Sequence, residues 1–506
     1  MLVHDHLRQT AATIPDKTAL IVGGARHTFR EIDSASDRLA AEFQRLGVAR
    51  GDRVAVMLEN SAEMVVALWA TLKAGGVFVP VSTGTRPDKL GFLLADSGAR
   101  CLVIPDRLNF AGAVADAPAL AAVVTVGPEG FAGLAEARPA DPGLIDQDLC
   151  FILYTSGSTG RPKGVMLTHA AIVNTIWAIS TYLGNRPDDV GLCVLPLFFD
   201  YGLFQVLTGA RVGFTVVLER SFAYPWDVLK RIGEHRVTIL PGVPTIFATL
   251  LQFAPFDGLD LSSLRVLTNT AAPFPPAHIR RLRMLLPQAR IFSMYGLTEC
   301  TRVSFLDPDR LEAKITTVGR AMPNCEVMIL DDDGRRCAPG EVGELAVRGS
   351  NLMRGYWRRP EETAAVLRDG DIPGEKWLYS GDLFRMDEDG DLTFVGRRDD
   401  VFKCRGEKVS PREIEMVLYE MEDVAEAAVI GTPDPIEGMA ITACVVPRAG
   451  RQLDMRELRR HCLARLEARL VPSRFEIAGT LPKTESGKIT KTRLRAEVAA
   501  APPAAE

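Results

Sequence analysis

The chain has 506 residues, 47% of them hydrophobic and 24% charged, with a formal net charge of -5. That much apolar material fills more than one core, and usual domain sizes give two or three folding units, which excludes a disordered scaffold. A mildly acidic chain offers no bulk attraction to nucleic acid or acidic lipid, so the expected partners are small molecules and local protein surfaces.

Nine cysteines are scattered with no CxxC pair and no Cys/His ligand spacing, which argues against structural zinc and for free thiols in a reducing compartment, the cytoplasm. The opening MLVHDHLRQTAATIPDKT lacks a basic segment followed by an apolar one. The most apolar early stretch, MVVALWATLKAGGVFVPV, is interrupted by Lys73 and a glycine pair. Neither a signal peptide nor a membrane span is expected.

From about Arg53, short β-branched runs alternate with helix-length segments: RVAVML, AEMVVALWATLKAGG, VFVPV, DKLGFLLADSG and CLVIPD. This alternation predicts right-handed βαβ crossovers and an α/β fold with doubly wound, mainly parallel sheets. The pattern resumes after residue 150 in VTILPGVPTIFATLL, RVLTNTAAP and RIFSMYGLTE, whose strand ends should open on the ligand crevice. Between about Ala321 and Phe394, short strands and turn signals (DDDG, APGEVGE, MDEDGD) predict a smaller antiparallel region. From about Asp400 a compact α+β unit is expected, with VAEAAVIG, ITACVVP and RFEIAG as strands and LDMRELRRHCLARLEARL as an amphipathic helix. The closing AAAPPAAE has nothing to pack and is expected to be disordered.

The stretch TSGSTGRPKG at 155–164 combines glycines, hydroxyls and two cations after the apolar strand CFILY. Glycines let backbone N–H groups approach an anion, hydroxyls add donors, and Arg161 and Lys163 add charge. The pattern predicts a phosphate cradle between a strand and a helix. A flexible Ser/Gly linker is the plainer alternative, but linkers seldom end in Pro-Lys-Gly directly after a buried strand. The kinase and ATPase P-loop is excluded because Gly164, not Ser or Thr, follows Lys163.

YTSGSTGRPKGVMLTH resembles the phosphate-binding signature of the adenylate-forming superfamily of acyl-CoA synthetases, adenylation domains and luciferases. YGLTE, YSGDL, GRRDDVFKCRGEKVSPREIE and PKTESGK follow in that family's order and extend the resemblance over nearly the whole chain. It implies an N-terminal core at 1–396, doubly wound with a small distorted barrel, and a hinge at 397–399. It further implies a mobile α+β domain at 400–495 carrying the catalytic lysine and a disordered tail at 496–506.

The implied reaction joins a carboxylate to the α-phosphate of ATP with loss of pyrophosphate, so two anions must be brought together and charge stabilised on phosphate oxygens. The resemblance makes Thr155, Ser156, Gly157, Ser158, Thr159, Gly160 and Lys163 the phosphate loop. Tyr295 becomes the adenine-stacking ring, Asp382 and Arg397 the ribose contacts, Thr298 the α-phosphate contact and Glu299 the Mg2+ ligand. Lys488 is the implied bridge between carboxylate and α-phosphate, and Asp399 the hinge about which the small domain rotates to admit a thiol. The plainer alternatives are a solvated surface lysine for Lys488 and an ordinary polar loop after a strand for Thr298 and Glu299.

The acid is read from LPLFFDYGLFQVL at 195–207. Many fatty and aryl acyl-CoA synthetases carry a His in the corresponding stretch, where this chain has Phe198-Phe199-Asp200, resembling amino-acid-activating members whose Asp pairs with the substrate ammonium. The alternative is that Asp200 caps the helix that follows. Tyr201, Phe204, Asn269, Met294, Arg302 and Val303 are expected to line a pocket for a small acid, and Arg302 either pairs nearby or answers a second carboxylate. The expected function is activation of a small amino acid such as proline or a β-amino acid and its transfer to a separate carrier protein. The alternative is an acyl-CoA synthetase acting on a non-amino acid with CoA as acceptor. A basic helix face with Arg459, Arg460, Arg465 and Arg469 is a candidate carrier dock. A non-catalytic nucleotide-binding protein is the third alternative, disfavoured by Lys488, which mere ATP binding does not require.

Overall fold

The computed structural model describes residues 1–500 apart from 109–111, 113, 115, 116, 156–161, 273, 405, 406, 435–437 and 484–488. Alternating buried strands and capped helices build its first sheet. Ser61 accepts the Met64 N–H at 3.2 Å to start helix Ala62–Lys73, and Gly98 at φ 63° ends helix Pro87–Ser97 so that strand Ala99–Pro105 can follow at once. The sheet has seven strands in the order Gly355–Tyr356, Lys163–Thr168, Leu149–Thr155, Val77–Pro80, Arg53–Val56, Ala99–Pro105 and Ala122–Val126. Its strands from Leu149–Thr155 to Ala122–Val126 are parallel, as the alternation predicts.

The second large sheet has nine strands, with a parallel interior running through Arg290–Tyr295, Val266–Asn269, Ile239–Gly242, Val190–Cys193, Thr215–Leu218 and Thr18–Val22. One large core, including Trp69, Phe78, Phe151, Phe247 and Phe292, fills the space these sheets and their helices enclose. A five-stranded antiparallel sheet formed by Cys325–Leu330, Val342–Gly349, Leu367–Asp369, Lys376–Met386 and Leu392–Arg397 makes the expected smaller region.

The C-terminal unit has its own core, in which Val409, Ile414, Leu418, Val429, Ile441 and Leu458 pack together. It touches the preceding sheet through Ser410 Oγ and Arg412 Nη1, which donate to the carbonyls of Val395 at 2.5 Å and Phe394 at 2.6 Å. Two expectations change here. The amphipathic helix is shorter than the pattern, Met455–Leu463, because the chain then turns to put Leu466 and Leu470 against the same core. The tail expected to be disordered from 496 is helical through Lys491–Ala500, since Leu494 and Val498, one turn apart, pack against the strands carrying Ala428 and Cys444.

All nine cysteines are free thiols. Among the described residues no helix is long and apolar enough to cross a membrane.

Candidate active site

The phosphate-loop stretch joins two antiparallel strands, with Thr155 directly opposite Lys163, and helix His169–Tyr182 begins only after the second of them. This corrects the strand-to-helix expectation: Lys163–Thr168 pairs along the buried strand, leaving no helix N-terminus at the loop. Gly164 is required by packing, because a Cβ there would lie 2.7 Å from Ile152 Cγ2. Ser156, Gly157, Ser158, Thr159, Gly160 and Arg161 lie outside the described residues.

Strand Gly355–Tyr356 extends this sheet at its edge, with Tyr356 opposite Val165. That placement sets Lys163 Nζ 5.1 Å over the Tyr356 ring, while the Tyr356 hydroxyl donates to Glu299 Oε1 at 2.8 Å. Burial, and then the Glu299 charge, push the Tyr356 hydroxyl well above its ordinary pKa, so it stays a proton donor. Sequence reasoning missed Tyr356; its signal is the Gly-Tyr-Trp run set among arginines in MRGYWRR.

The residues expected to meet the nucleoside come from two sheets. Tyr295 ends strand Arg290–Tyr295 and donates through its hydroxyl to Asp382 Oδ2 at 2.6 Å. Its ring meets the edge of Phe384 at 4.8 Å and lies nearly parallel to Phe394 at 6.3 Å. Asp382 and Arg397 are register partners, and Asp382 Oδ1 sits 3.3 Å from Arg397 Nε. Desolvation by burial, and then the Asp382 charge, hold Tyr295 protonated. Thr298 and Glu299 follow in the partly buried loop after Tyr295, and Asp399 stands exposed in the turn after Arg397. Lys488 lies outside the described residues.

The loop after Tyr295 is sharply folded. A Cβ on Gly296 would lie 2.5 Å from the Thr301 carbonyl oxygen, and Thr301 itself has φ 58°, a left-handed conformation that costs a non-glycine residue roughly 1–2 kcal/mol. Asn351 Nδ2 clamps the turn by donating to the carbonyls of Cys300 at 2.9 Å and Arg302 at 2.7 Å. The result sends Glu299 towards Tyr356 and Arg302 in the direction of Tyr201.

Arg302 enters a small pocket whose walls include Tyr201, Phe204, Met294, Ile179, Leu183 and Phe214. Of the six residues expected to line it, Tyr201, Phe204, Met294 and Arg302 do so. Asn269 and Val303 do not: Asn269 Nδ2 turns back to the Ala272 carbonyl at 3.1 Å, and Val303 is fully buried in the core, its N–H on the Tyr295 carbonyl at 2.9 Å. Asp200 is also absent from the lining. It is the first residue of helix Asp200–Val212 rather than its N-cap, a position held by Phe199, and its Oδ1 accepts the Tyr201 N–H at 2.7 Å.

A family model for AMP-binding enzymes matches residues 7–357, and the model for that family's C-terminal domain matches 413–488. The chain belongs to the AMP-binding enzyme family. Feruloyl-CoA synthase of an Amycolatopsis species is 37% identical over 485 residues, covering 95% of this chain and 96% of that one. The o-succinylbenzoate CoA synthetase MenE of Bacillus subtilis, solved with its acyl-adenylate intermediate, superposes with a TM-score of 0.86 at 30% identity, covering 98% of both chains. ATP-bound MatB of Rhodopseudomonas palustris superposes at 0.89 with 28% identity over 99% of both.

This AMP-binding enzyme is therefore an AMP-forming acid–thiol ligase that activates its acid with ATP as an acyl-adenylate. The comparisons do not favour the expected likeness to stand-alone amino-acid-loading enzymes, because the relatives named above as synthases and synthetases are CoA enzymes. The basic helix face also reads differently in three dimensions. Arg465 pairs with Glu420 at 2.8 Å, Arg469 with Glu467 at 2.7 Å and Arg460 with Glu457 at 3.4 Å, while Arg459 donates to the Ser473 carbonyl at 2.9 Å. Arginines so engaged make a weaker carrier dock than the sequence suggests.

Proposed function

We propose that the protein is an acyl-CoA ligase for a small carboxylic acid lacking an amine, with CoA as the thiol acceptor. The observation that carries this reading is the position of Asp200: its carboxylate takes a backbone N–H at the start of its helix, and it is not among the residues lining the small pocket beside Arg302. The CoA enzymes among its relatives support the same acceptor.

In this reading the glycine-rich loop and Lys163 hold the ATP phosphates, Tyr295 the adenine, and Asp382 with Arg397 the ribose. Thr298 and Lys488 meet the α-phosphate, Lys488 also drawing in the carboxylate. Glu299 fits a Mg2+ ligand, since one of its oxygens accepts a neutral hydroxyl and no cation pairs with it among the described residues. Bound there, the ion would neutralise phosphate charge. Tyr356 then orients Glu299, and rotation of the 400–495 domain about Asp399 exchanges Lys488 for the thiol. The small pocket and its rings restrict the acid, and the free thiols suit a cytoplasmic setting.

The test is product analysis with ATP, a panel of amino and non-amino acids, and either free CoA or a phosphopantetheine-bearing carrier protein. A CoA thioester and AMP from a non-amino acid are expected. Pyrophosphate exchange restricted to amino acids, with thioester formed only on the carrier, would overturn the proposal and restore the amino-acid reading.

A further inference from the structure

Arg302 is 4% exposed, its guanidinium stands 5.2 Å over the Tyr201 ring, and its Nε has no hydrogen-bond partner. Among the described residues no carboxylate forms an ion pair with it. Several other polar groups of the pocket bond to one another or to its backbone. The Tyr201 hydroxyl bonds Thr268 Oγ1 at 2.5 Å, Gln205 Nε2 donates to the Tyr201 carbonyl at 3.0 Å, Thr208 Oγ1 donates to the Phe204 carbonyl at 2.6 Å, and the Tyr182 hydroxyl donates to Met294 Sδ at 3.2 Å. A buried cation without a counter-charge is a strongly unfavourable arrangement unless a bound anion completes it.

We infer that Arg302 binds a second carboxylate of the substrate, remote from the one being activated, so that the acid is a short dicarboxylic acid. The inference rests on the ligase reading above and narrows its substrate. Two features separate this carboxylate from the reacting one. Glu299, at the other side of the same turn, faces Tyr356 and, through it, Lys163, where the phosphates are assigned; none of these three lines the pocket. The strained, clamped turn at Thr301 holds Arg302 on the pocket side. A planar guanidinium standing over an aromatic face offers parallel N–H donors matched to a carboxylate, and the walls lie close around it, which disfavours a long or bulky acid.

The experiment is acid-dependent ATP–pyrophosphate exchange, with succinate, glutarate and phthalate set against their half-amides, succinamate, glutaramate and phthalamate. The half-amides keep the reacting carboxylate and nearly the same shape but lose the second charge. The wild-type protein is expected to prefer at least one diacid over its half-amide by about 100-fold in kcat/KM, the scale of a buried charge-assisted contact. Arg302→Met should abolish that preference by lowering the diacid alone, and Arg302→Lys should restore part of it. Equal use of diacids and half-amides by the wild type, or exchange with none of the diacids, overturns the inference without reference to any variant. A parallel loss of both acids in Arg302→Met overturns it too, because Arg302 would then serve the reacting carboxylate or the fold. Exchange needs no thiol, so a failure here is distinct from a failure of the CoA assignment, which only the thioester assay reads.

Discussion

Two buried cations of this protein are handled in opposite ways. Lys73, at the end of helix Ala62–Lys73, has a side chain with no exposed surface and is met by Asp33 at 2.6 Å and Asp37 at 2.7 Å, both from the neighbouring helix Phe29–Arg45. Arg302 is nearly as buried but has aromatic and apolar walls in place of carboxylates. A charge whose partner is built into the chain serves the fold; a charge with no carboxylate paired to it among the described residues, lining a pocket, is the one we infer to be completed by what binds. Asp382 stands between these cases, since its carboxylate accepts from the neutral Tyr295 hydroxyl and pairs with the exposed Arg397.

Removing the built-in partner should have the largest effect. Lys73→Met leaves two partly buried aspartates facing an apolar side chain and is expected to lower folding stability by about 3 kcal/mol, the range for breaking a buried pair, with acid preference unchanged in the folded protein. Chemical denaturation followed by exchange assays on the same sample checks both halves of that statement. A change in acid selectivity at constant stability would erase the contrast with Arg302.

A smaller and differently placed effect is expected at Asp382. Asp382→Asn keeps the shape but removes the charge that Arg397 faces, so the KM for ATP should rise by roughly 10- to 100-fold, as for loss of a charge-assisted hydrogen bond, while the ranking of acids stays the same. Steady-state kinetics varying ATP and acid separately would show it. An effect confined to the acid would put Asp382 on the wrong side of the site.

Asp200→Ala should do least. Loss of its bond to the Tyr201 N–H is worth about 1 kcal/mol of stability, as for a helix-start contact, and activation of non-amino acids should stay within a few fold of wild type. Abolished exchange with an acid the wild type uses would show that Asp200 faces the substrate after all.

The alternation of strands and helices from Arg53 onward fixed the α/β class because period and length of apolar runs are local properties. The ordered motifs carried the family assignment, and the structure brings Tyr295, Asp382 and Arg397 of three such motifs together from segments far apart in sequence. Tyr356 was not legible, since its role comes from an edge strand that pairs with Lys163–Thr168 across almost two hundred residues of chain. Lys73 shows the same limit: in sequence it only interrupts an apolar run, and its burial depends on two aspartates of another helix.

The sequence by itself determined the fold class and the family, because these are written in local periodicity and contiguous motifs. Tertiary structure alone decided which of the candidate residues line the small pocket. Asp200 takes a backbone N–H at its own helix start while Arg302 enters the pocket with no carboxylate paired to it among the described residues, and both outcomes follow from how a helix start and a strained turn pack against distant strands, which no local pattern encodes.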